Sequence, residues 1–257
     1  MKNEKVNILN INVSIGETES LLNEAVRLID NNQKFYICTI NAYLAVKANE
    51  DRELLKILNN AEIVIPDGMP LVWYSKLSGK PIPERISGYE FFYNFSKIAN
   101  KNNYSYFFFG GTNNMVLDAV RIRLEKEFAN IEVKGLISPP IMNTFPDEFD
   151  DYVINTINNC KPDILWVGLS APKQEKWIYK NIDRLDIKMA FGIGAAFNFY
   201  ANMVRRAPLW MQKAGLEWLF RMFAEPKRLF KKYMVNNTKF IGLVIKDFFK
   251  NAYNKKK

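Results

Sequence analysis

The feature that most constrains the fold is the alternation of short apolar runs with longer amphipathic stretches. Six runs bounded by Gly, Pro or Asn indicate strands: 35–41, 61–66, 105–111, 131–137, 164–170 and 188–194. The intervening stretches favour helices: 17–31, 42–59, 88–102, 112–129, 146–159 and 171–182. Strands separated by helices are typical of parallel α/β sheets. We therefore predict an α/β, Rossmann-like core over residues 1–200 with helices on both faces of a largely parallel sheet, and a strand or hairpin in 6–16.

The pattern changes near residue 200, and we predict a second unit over residues 201–257, a basic amphipathic helical appendage. In the segment 239–253, two i, i+4 series form an apolar stripe: Phe240, Val244, Phe248 and Ile241, Ile245, Phe249. One interpretation is a pair of helices packed on the core, with Pro226 starting or kinking one of them. The other is an appendage at a membrane surface, with aromatic side chains in the interface and lysines near lipid phosphates.

The positive charge is concentrated in this appendage. The chain carries a net charge of +9, and residues 201–257 hold 14 Lys and Arg against three acids, Glu217, Glu225 and Asp247. Residues 1–200 therefore have a balance of −2. A basic segment favours a polyanionic partner, which can be a nucleic acid, an anionic membrane surface or a phosphorylated substrate.

The composition excludes several kinds of chemistry. The sequence has no histidine, which removes histidine bases, histidine metal sites and Ser-His-Asp triads. Two cysteines, Cys38 and Cys160, are too few for a disulfide framework and favour a reducing compartment. A polar N-terminus and the absence of a bilayer-spanning apolar run predict a cytoplasmic protein.

Polar residues follow the first two predicted strands of the core. Thr39 and Asn41 have i, i+2 spacing and point to the same side, although local turn hydrogen bonding explains them equally well. Asp67 follows the run 61–66, where it either caps the next helix or acts as an acid or base. Ligands of open α/β sheets bind at such carboxyl ends of strands.

Later strand ends carry small residues that allow a ligand to approach the backbone. Gly110 and Gly111 precede a predicted helix start at Thr112, an arrangement that can receive a phosphate without forming a complete nucleotide fingerprint. The segments 167–177 and 191–199 supply the further candidates Gly168, Pro172, Gln174, Glu175, Gly192 and Gly194. Glu175 is equally consistent with an ordinary acid in the first turn of a helix.

Cations are the predicted partners of any diphosphate, because no Asp-x-Asp or Cys/His cluster suggests a metal site. We predict neither a metal nor a cofactor. The candidate arginines are Arg85, Arg205, Arg206, Arg221 and Arg228. For each tail arginine, a solvated surface position is the simpler interpretation.

Several blocks resemble the WecG/TagA/CpsF glycosyltransferases, glycosyltransferase family 26, in order and spacing over about residues 6–234. These blocks are TINAYLAVKA, VIPDGMPLVW, ERISGYEFF, FFFGGTNN, PDILWVGLSAPKQEKWI, GIGAAFNF and RRAPLWMQKAGLEWLFRMFAEPKRLFKKY. The resemblance implies that the family's aspartate base is Asp67 and that its arginine and glutamine are Arg85 and Gln174. It also places the family's threonine and asparagine at Thr39 and Asn41, and assigns Arg221 and Arg228 to an appendage over the site.

The resemblance further implies a metal-independent, inverting transfer from a UDP-sugar. Its acceptor would be a polyprenyl-diphosphate-linked GlcNAc, and the best candidate for the transferred sugar is N-acetylmannosamine. Members of the family act in teichoic acid and related cell-surface polymer synthesis, at the inner face of the membrane. We expect a UDP-sugar, a lipid-linked acceptor and an anionic membrane surface as partners, and no nucleic acid. Homo-oligomerisation stays open.

Two other classes remain as alternatives at this point. A non-catalytic α/β protein with a basic arm would bind nucleic acid or another polyanion and would lack a UDP site. A Rossmann-type oxidoreductase would need a glycine fingerprint after the first strand, and the sequence has none there.

Overall fold

The core of the molecule is a six-stranded sheet. A computed structural model of the chain describes residues 3–142 and 144–254, without the side chains of Lys213, Arg228 and 250–254. An N-terminal antiparallel hairpin consists of β1 (Lys5–Ile8) and β2 (Ile11–Ser14). The sheet strands are β3 (Phe35–Ile40), β4 (Ile63–Pro66), β5 (Tyr106–Gly110), β6 (Val133–Ile137), β7 (Ile164–Gly168) and β8 (Met189–Gly192).

All neighbouring strands of this sheet are parallel, in the order β4-β3-β8-β7-β5-β6. Parallel pairing directs the carboxyl ends of all six strands to one edge. β3 and β8 are neighbours although more than a hundred residues separate them. The ends of β4, β3, β8 and β7 therefore lie side by side at this edge.

Helices connect the strands and cover both faces of the sheet. They are α1 (Thr18–Asp30), α2 (Ala42–Glu50), α3 (Arg52–Asn60), α4 (Met69–Leu77), α5 (Gly88–Asn102), α6 (Asn114–Glu127), α7 (Asp147–Cys160), α8 (Lys173–Asn181) and α9 (Ala196–Tyr200). The C-terminal region adds α10 (Leu209–Lys213), α11 (Glu217–Ala224) and α12 (Pro226–Asn254). The prediction of an α/β, Rossmann-like parallel fold with a C-terminal helical segment is confirmed.

Alternate residues of each strand enter two apolar cores on opposite faces. In β5, Phe107 and Phe109 pack against the face covered by α2, α3, α4, α7 and α8. Tyr106 and Phe108 pack against the face covered by α1, α5, α6 and α9. Because both faces are buried, the inner strands are largely apolar instead of alternating between apolar and polar residues, whereas the edge strand β6 is only partly buried and carries Lys134.

Side-chain caps decide where several helices begin. The predicted helix 42–59 is in fact two helices, because the Asp51 carboxylate accepts hydrogen bonds from Glu53 N and Leu54 N and starts α3. The predicted start at Thr112 is shifted, since Asn113 caps α6 by accepting from Val116 N. Ser87 and Glu90 form a reciprocal capping box at the start of α5.

The C-terminal region differs from the pair of helices that the sequence suggests, although Pro226 starts a helix as expected. Pro226 begins a single helix, α12, that runs to Asn254, and the shorter α11 ends just before it. α12 packs along α2, and Phe240 is buried in the core there. Within residues 3–142 and 144–254, no helix has the length and apolarity required to cross a bilayer.

Candidate active site

A cavity of about 270 Å³ lies at the carboxyl edge of the sheet, above the ends of β3, β4 and β8. Residues of α10, α11 and α12 line the cavity together with the strand ends, and residues 201–254 are called the covering segment below. Of the residues predicted for the site, eight line this cavity: Thr39, Asn41, Asp67, Arg85, Gln174, Gly194, Arg206 and Arg221. Parallel strand ends and one covering segment thus bring together residues from most of the chain.

Asp67 does not cap a helix. The N-cap of α4 is Gly68, and the Asp67 carboxylate instead accepts a hydrogen bond from Arg85 Nη1 at 3.4 Å. The Asp67 side chain keeps 32% of its surface exposed, towards the cavity. Although part of its surface faces the cavity, the loss of bulk water around the carboxylate raises the pKa of Asp67 to about 6, with Glu217 and Glu90 acting in the same direction and Arg85 and Arg221 opposing them.

Arg85 is surrounded by carboxylates. Its guanidinium lies 3.4 Å from Asp67, 3.2 Å from Glu90 and 3.3 Å from Glu217. The Arg85 side chain is only 11% exposed, so these ion pairs are poorly screened by water. Glu217 comes from α11, and the covering segment is therefore tied electrostatically to the strand end that carries Asp67.

Thr39 and Asn41 both line the cavity, as predicted from their spacing. Asn41 also realises the local alternative, since its Oδ1 accepts from Leu44 N at 3.0 Å and caps α2. The cap occupies the amide oxygen only. The Asn41 amide nitrogen is therefore the part of this side chain that can donate to a ligand.

Gln174 forms part of the cavity floor, next to the end of β8. Its Oε1 accepts from Gly194 N at 3.0 Å, and its Nε2 donates to Glu175 at 2.8 Å. Gly192 leaves room for this side chain, because a Cβ there would lie 3.0 Å from the Gln174 amide nitrogen. Glu175 is fully buried beneath the floor, and Pro172 is the N-cap of α8, which carries both residues.

Two arginines of the covering segment face the cavity. Arg206 Nη2 donates to Gln212 Oε1 at 2.8 Å and lies 3.4 Å from Glu90 Oε1. The Arg206 guanidinium also lies over the Tyr89 ring, 4.4 Å from its centroid. Arg221 lies over the Phe199 ring, and its buried Nε has no hydrogen-bond partner among the described residues. Both are thus held above the strand ends with part of their donor capacity unused.

The remaining predicted residues lie elsewhere. Six of them are not among the described residues that line the cavity: Gly110, Gly111, Gly168, Pro172, Glu175 and Gly192. Gly110 allows β5 to approach β7 closely, since a Cβ there would lie 2.5 Å from the Gly168 backbone. Gly111 N donates to Gly168 O at 3.0 Å. Arg205 is exposed, and the Arg228 side chain lies outside what the structure describes.

Sequence reasoning missed several residues that line the cavity. Glu217 and Trp218 lie on α11, and Lys232 and Tyr233 on α12. Lys232 Nζ lies 3.7 Å from the centroid of the Tyr43 ring, another lining residue. All but Tyr43 fall in the block RRAPLWMQKAGLEWLFRMFAEPKRLFKKY, but the sequence does not indicate which of its charged side chains turn inwards.

Comparisons with known proteins agree on one relationship. The model of the Glycosyl transferase WecG/TagA/CpsF family matches residues 6–254. A Bacillus spizizenii protein named N-acetylglucosaminyldiphosphoundecaprenol N-acetyl-beta-D-mannosaminyltransferase is 28% identical over 218 residues, 85% of this chain and 81% of the relative. A Staphylococcus aureus protein with the same name is 28% identical over 228 residues, 88% of this chain and 87% of the relative.

Proposed function

Because this chain belongs to the WecG/TagA/CpsF glycosyltransferase family, we propose that it moves a sugar from a UDP-sugar to the GlcNAc of a polyprenyl-diphosphate-linked acceptor. The chain is a glycosyltransferase, so the non-catalytic and oxidoreductase alternatives are set aside. The names of the Bacillus and Staphylococcus relatives make N-acetylmannosamine the first sugar to test. The observation that carries the proposal is the Asp67 carboxylate, which faces a cavity covered by Arg206 and Arg221.

Asp67 is the proposed general base of a single, inverting displacement. A sugar hydroxyl is a weak nucleophile at neutral pH, and a positioned carboxylate that accepts its proton contributes about 10²–10⁴-fold to the rate. The pKa of about 6 suits this task. It leaves Asp67 largely ionised at neutral pH, yet it makes the carboxylate more basic than an exposed aspartate. Thr39 and Asn41, on the neighbouring strand end, are proposed to hold the reacting sugars.

The proposed mechanism requires no metal, since cationic side chains stabilise the departing diphosphate. We assign this role to Arg221 and Arg206 rather than to Arg85, because Arg85 lies within 3.4 Å of three carboxylates, whereas Arg206 lies, among the described residues, within that distance of Glu90 alone and 3.9 Å from Glu217. Negative charge that develops on UDP in the transition state is stabilised best by donors already in place. Arg85 instead holds Asp67 in position and keeps its pKa from rising further.

The acceptor is confined to a membrane, and the covering segment is the proposed point of contact. On α12, Ile241, Ile245, Phe248 and Phe249 are all more than half exposed. Exposed lysines such as Lys231 and Lys246 lie on the same helix. An amphipathic helix with apolar and basic residues binds an anionic bilayer surface, which would bring the cavity to the leaflet that holds the lipid-linked sugar.

The test is a transfer assay with a panel of UDP-sugars and a short-chain lipid-diphospho-GlcNAc, read by mass spectrometry. We expect a product one N-acetylhexosamine heavier, formed in the presence of a metal chelator. Asp67→Asn is the matched variant, and we expect at least about a hundredfold loss of turnover with an unchanged unfolding temperature. Failure of every UDP-sugar in the panel would contradict the proposed donor class, and wild-type turnover by Asp67→Asn would contradict the base.

A further inference from the structure

Glu175 is a buried acid that the proposed mechanism does not use. The residue is 0% exposed, and its Oε2 has no hydrogen-bond partner among the described residues. An acid in the first turn of a surface helix normally faces water, where it interacts with the helix dipole at no desolvation cost. Burial is the main cause that raises the pKa of Glu175 to about 7. A costly buried acid beneath an active site calls for a reason beyond packing.

Among the described residues, the side chain that hydrogen-bonds Glu175 is that of Gln174, which reaches the cavity. The Gln174 amide is bound at both ends, with Oε1 accepting from Gly194 N at 3.0 Å and Nε2 donating to Glu175 Oε1 at 2.8 Å. A backbone N–H can only donate, so Gly194 determines which end of the amide is the oxygen. Rotating the amide by half a turn would break both bonds. Nε2 carries a second hydrogen, and this N–H remains for a ligand.

We propose that Glu175 is a positioning residue that fixes the Gln174 amide so that one N–H donates into the cavity, to a sugar or diphosphate oxygen of the bound substrate. This inference rests on the proposed function, because the ligand oxygen is that of the transferase substrate. A carboxyl oxygen accepts a hydrogen bond in either protonation state, so Glu175 holds the amide across the whole neutral range. An apolar residue of the same size would fill the space but would leave Nε2 free to turn.

Gly192 gives an independent way to disturb the same amide. A Cβ at this position would lie 3.0 Å from Gln174 Nε2 and 3.1 Å from its Cδ. Gly192→Ala therefore pushes the amide without altering Glu175. If the amide orientation matters, Gly192→Ala and removal of the Glu175 acceptor lower the same kinetic constant.

The first experiment is kinetic and uses the full chain. We expect Glu175→Met to lower kcat/KM by about 10- to 100-fold, because a misplaced donor forfeits much of its effect on the transition state. Glu175→Gln keeps an acceptor oxygen and should recover about tenfold of this loss. In a protein that already carries Gln174→Met, adding Glu175→Met should lower kcat/KM by a further factor of less than about three, since the side chain that Glu175 positions is already absent. The proposal would be overturned if the losses in kcat/KM from Gln174→Met and Glu175→Met multiplied in the double variant. It would also be overturned if Glu175→Met lowered the unfolding temperature but left kcat/KM unchanged.

The second experiment does not depend on turnover. The Gln174 side-chain amide signals are identified in a nitrogen–proton NMR spectrum by their loss in Gln174→Met. We expect slow hydrogen exchange of this amide in the wild type and in Glu175→Gln, and at least about tenfold faster exchange in Glu175→Met. Equal exchange in all three proteins would refute the positioning role. If the wild-type protein transfers no sugar, the proposed function is refuted, but the exchange measurement still tests whether Glu175 positions the Gln174 amide.

Discussion

At the scale of single residues, Asp67 shows how charges from distant parts of the chain adjust one carboxylate. Arg85 favours its ionised form, whereas Glu90 and Glu217 disfavour it. Desolvation raises the pKa in the same direction as these two acids and is the largest cause, so the pKa of Asp67 rises to about 6. Asp67 is therefore neither a simple helix cap nor a simple ion-pair partner, and its ionisation depends on the covering segment.

The first prediction concerns the pH dependence of kcat/KM. A base must be ionised, so we expect kcat/KM to fall as the pH drops below about 6, the pKa of Asp67. Glu217→Gln removes a negative charge that raises this pKa, and the acid limb should move to lower pH. Glu148→Gln, at an exposed acid on α7, is the control and should leave the limb in place. If Glu217→Gln leaves the acid limb of the kcat/KM profile where it is, the proposed effect of Glu217 on the pKa of Asp67 is contradicted.

At the scale of elements, α12 combines the two roles that the sequence presented as alternatives. Phe240, Leu243 and Val244 pack against the core beside α2. Ile241 and Ile245 belong to the other i, i+4 series and are exposed. The first series is thus buried at Phe240, partly buried at Val244 and exposed only at Phe248, whereas the second series is exposed throughout. One helix therefore both packs on the core and presents an apolar surface.

The second prediction tests this exposed surface. Ile245→Glu with Phe249→Glu should reduce binding to vesicles containing phosphatidylglycerol by roughly tenfold or more, because each apolar side chain contributes about 1.5–3 kcal/mol when removed from water. Sedimentation with vesicles measures the bound fraction. Met115→Glu with Ile122→Glu on α6, at two similarly exposed apolar residues, is the control that adds the same charge. Equal loss in the control would mean that added charge alone explains the result.

At the scale of the whole molecule, the proposed active site draws residues from both parts of the chain. The strand ends supply Thr39, Asn41, Asp67 and Gln174, while Arg206, Glu217 and Arg221 come from beyond residue 200. The division into a core over 1–200 and an appendage over 201–257 stays a prediction. It implies that residues 1–200 fold without the appendage and that the appendage supplies side chains required for the transfer reaction.

The third prediction follows from this division. A chain ending at residue 200 should unfold cooperatively by calorimetry, because both apolar cores are built largely from residues before that point. It should have no transferase activity, since its cavity lacks the arginines of the appendage. A chain ending at residue 249 keeps every lining residue and should retain turnover in detergent. Full activity of the shorter chain would contradict the shared site.

The fourth prediction concerns global stability and Glu175. An acid whose pKa is raised in the folded state stabilises the fold only while it is protonated. Its contribution is complete below pH about 4.5 and is lost as the pH rises through about 7. The loss amounts to about 3 kcal/mol of unfolding free energy, and Glu175→Gln should remove this part of the pH dependence. Urea unfolding at pH 5 and pH 8 measures it, and parallel curves for the two proteins would contradict the raised pKa.

The sequence by itself determined the elements and the strand-end residues. Apolar runs bounded by turn residues identify the strands β3 to β8, and the polar residues that follow them include Thr39, Asn41 and Asp67. These signals are local, because periodicity and turn chemistry act over a few residues. Side-chain caps changed these elements locally: Asp51 divides one predicted helix into two, and Asn113 moves a helix start by a few residues.

Only the tertiary structure decided which of these residues meet. The strand order places β8 beside β3, which brings Gln174 towards Asn41, and the fold of the covering segment pairs Glu217 with Arg85 across more than a hundred residues. The burial of Glu175 and the division of the α12 stripe depend on the surfaces packed against them. No local pattern encodes these outcomes, because burial and ion pairing arise from contacts between segments far apart in the chain.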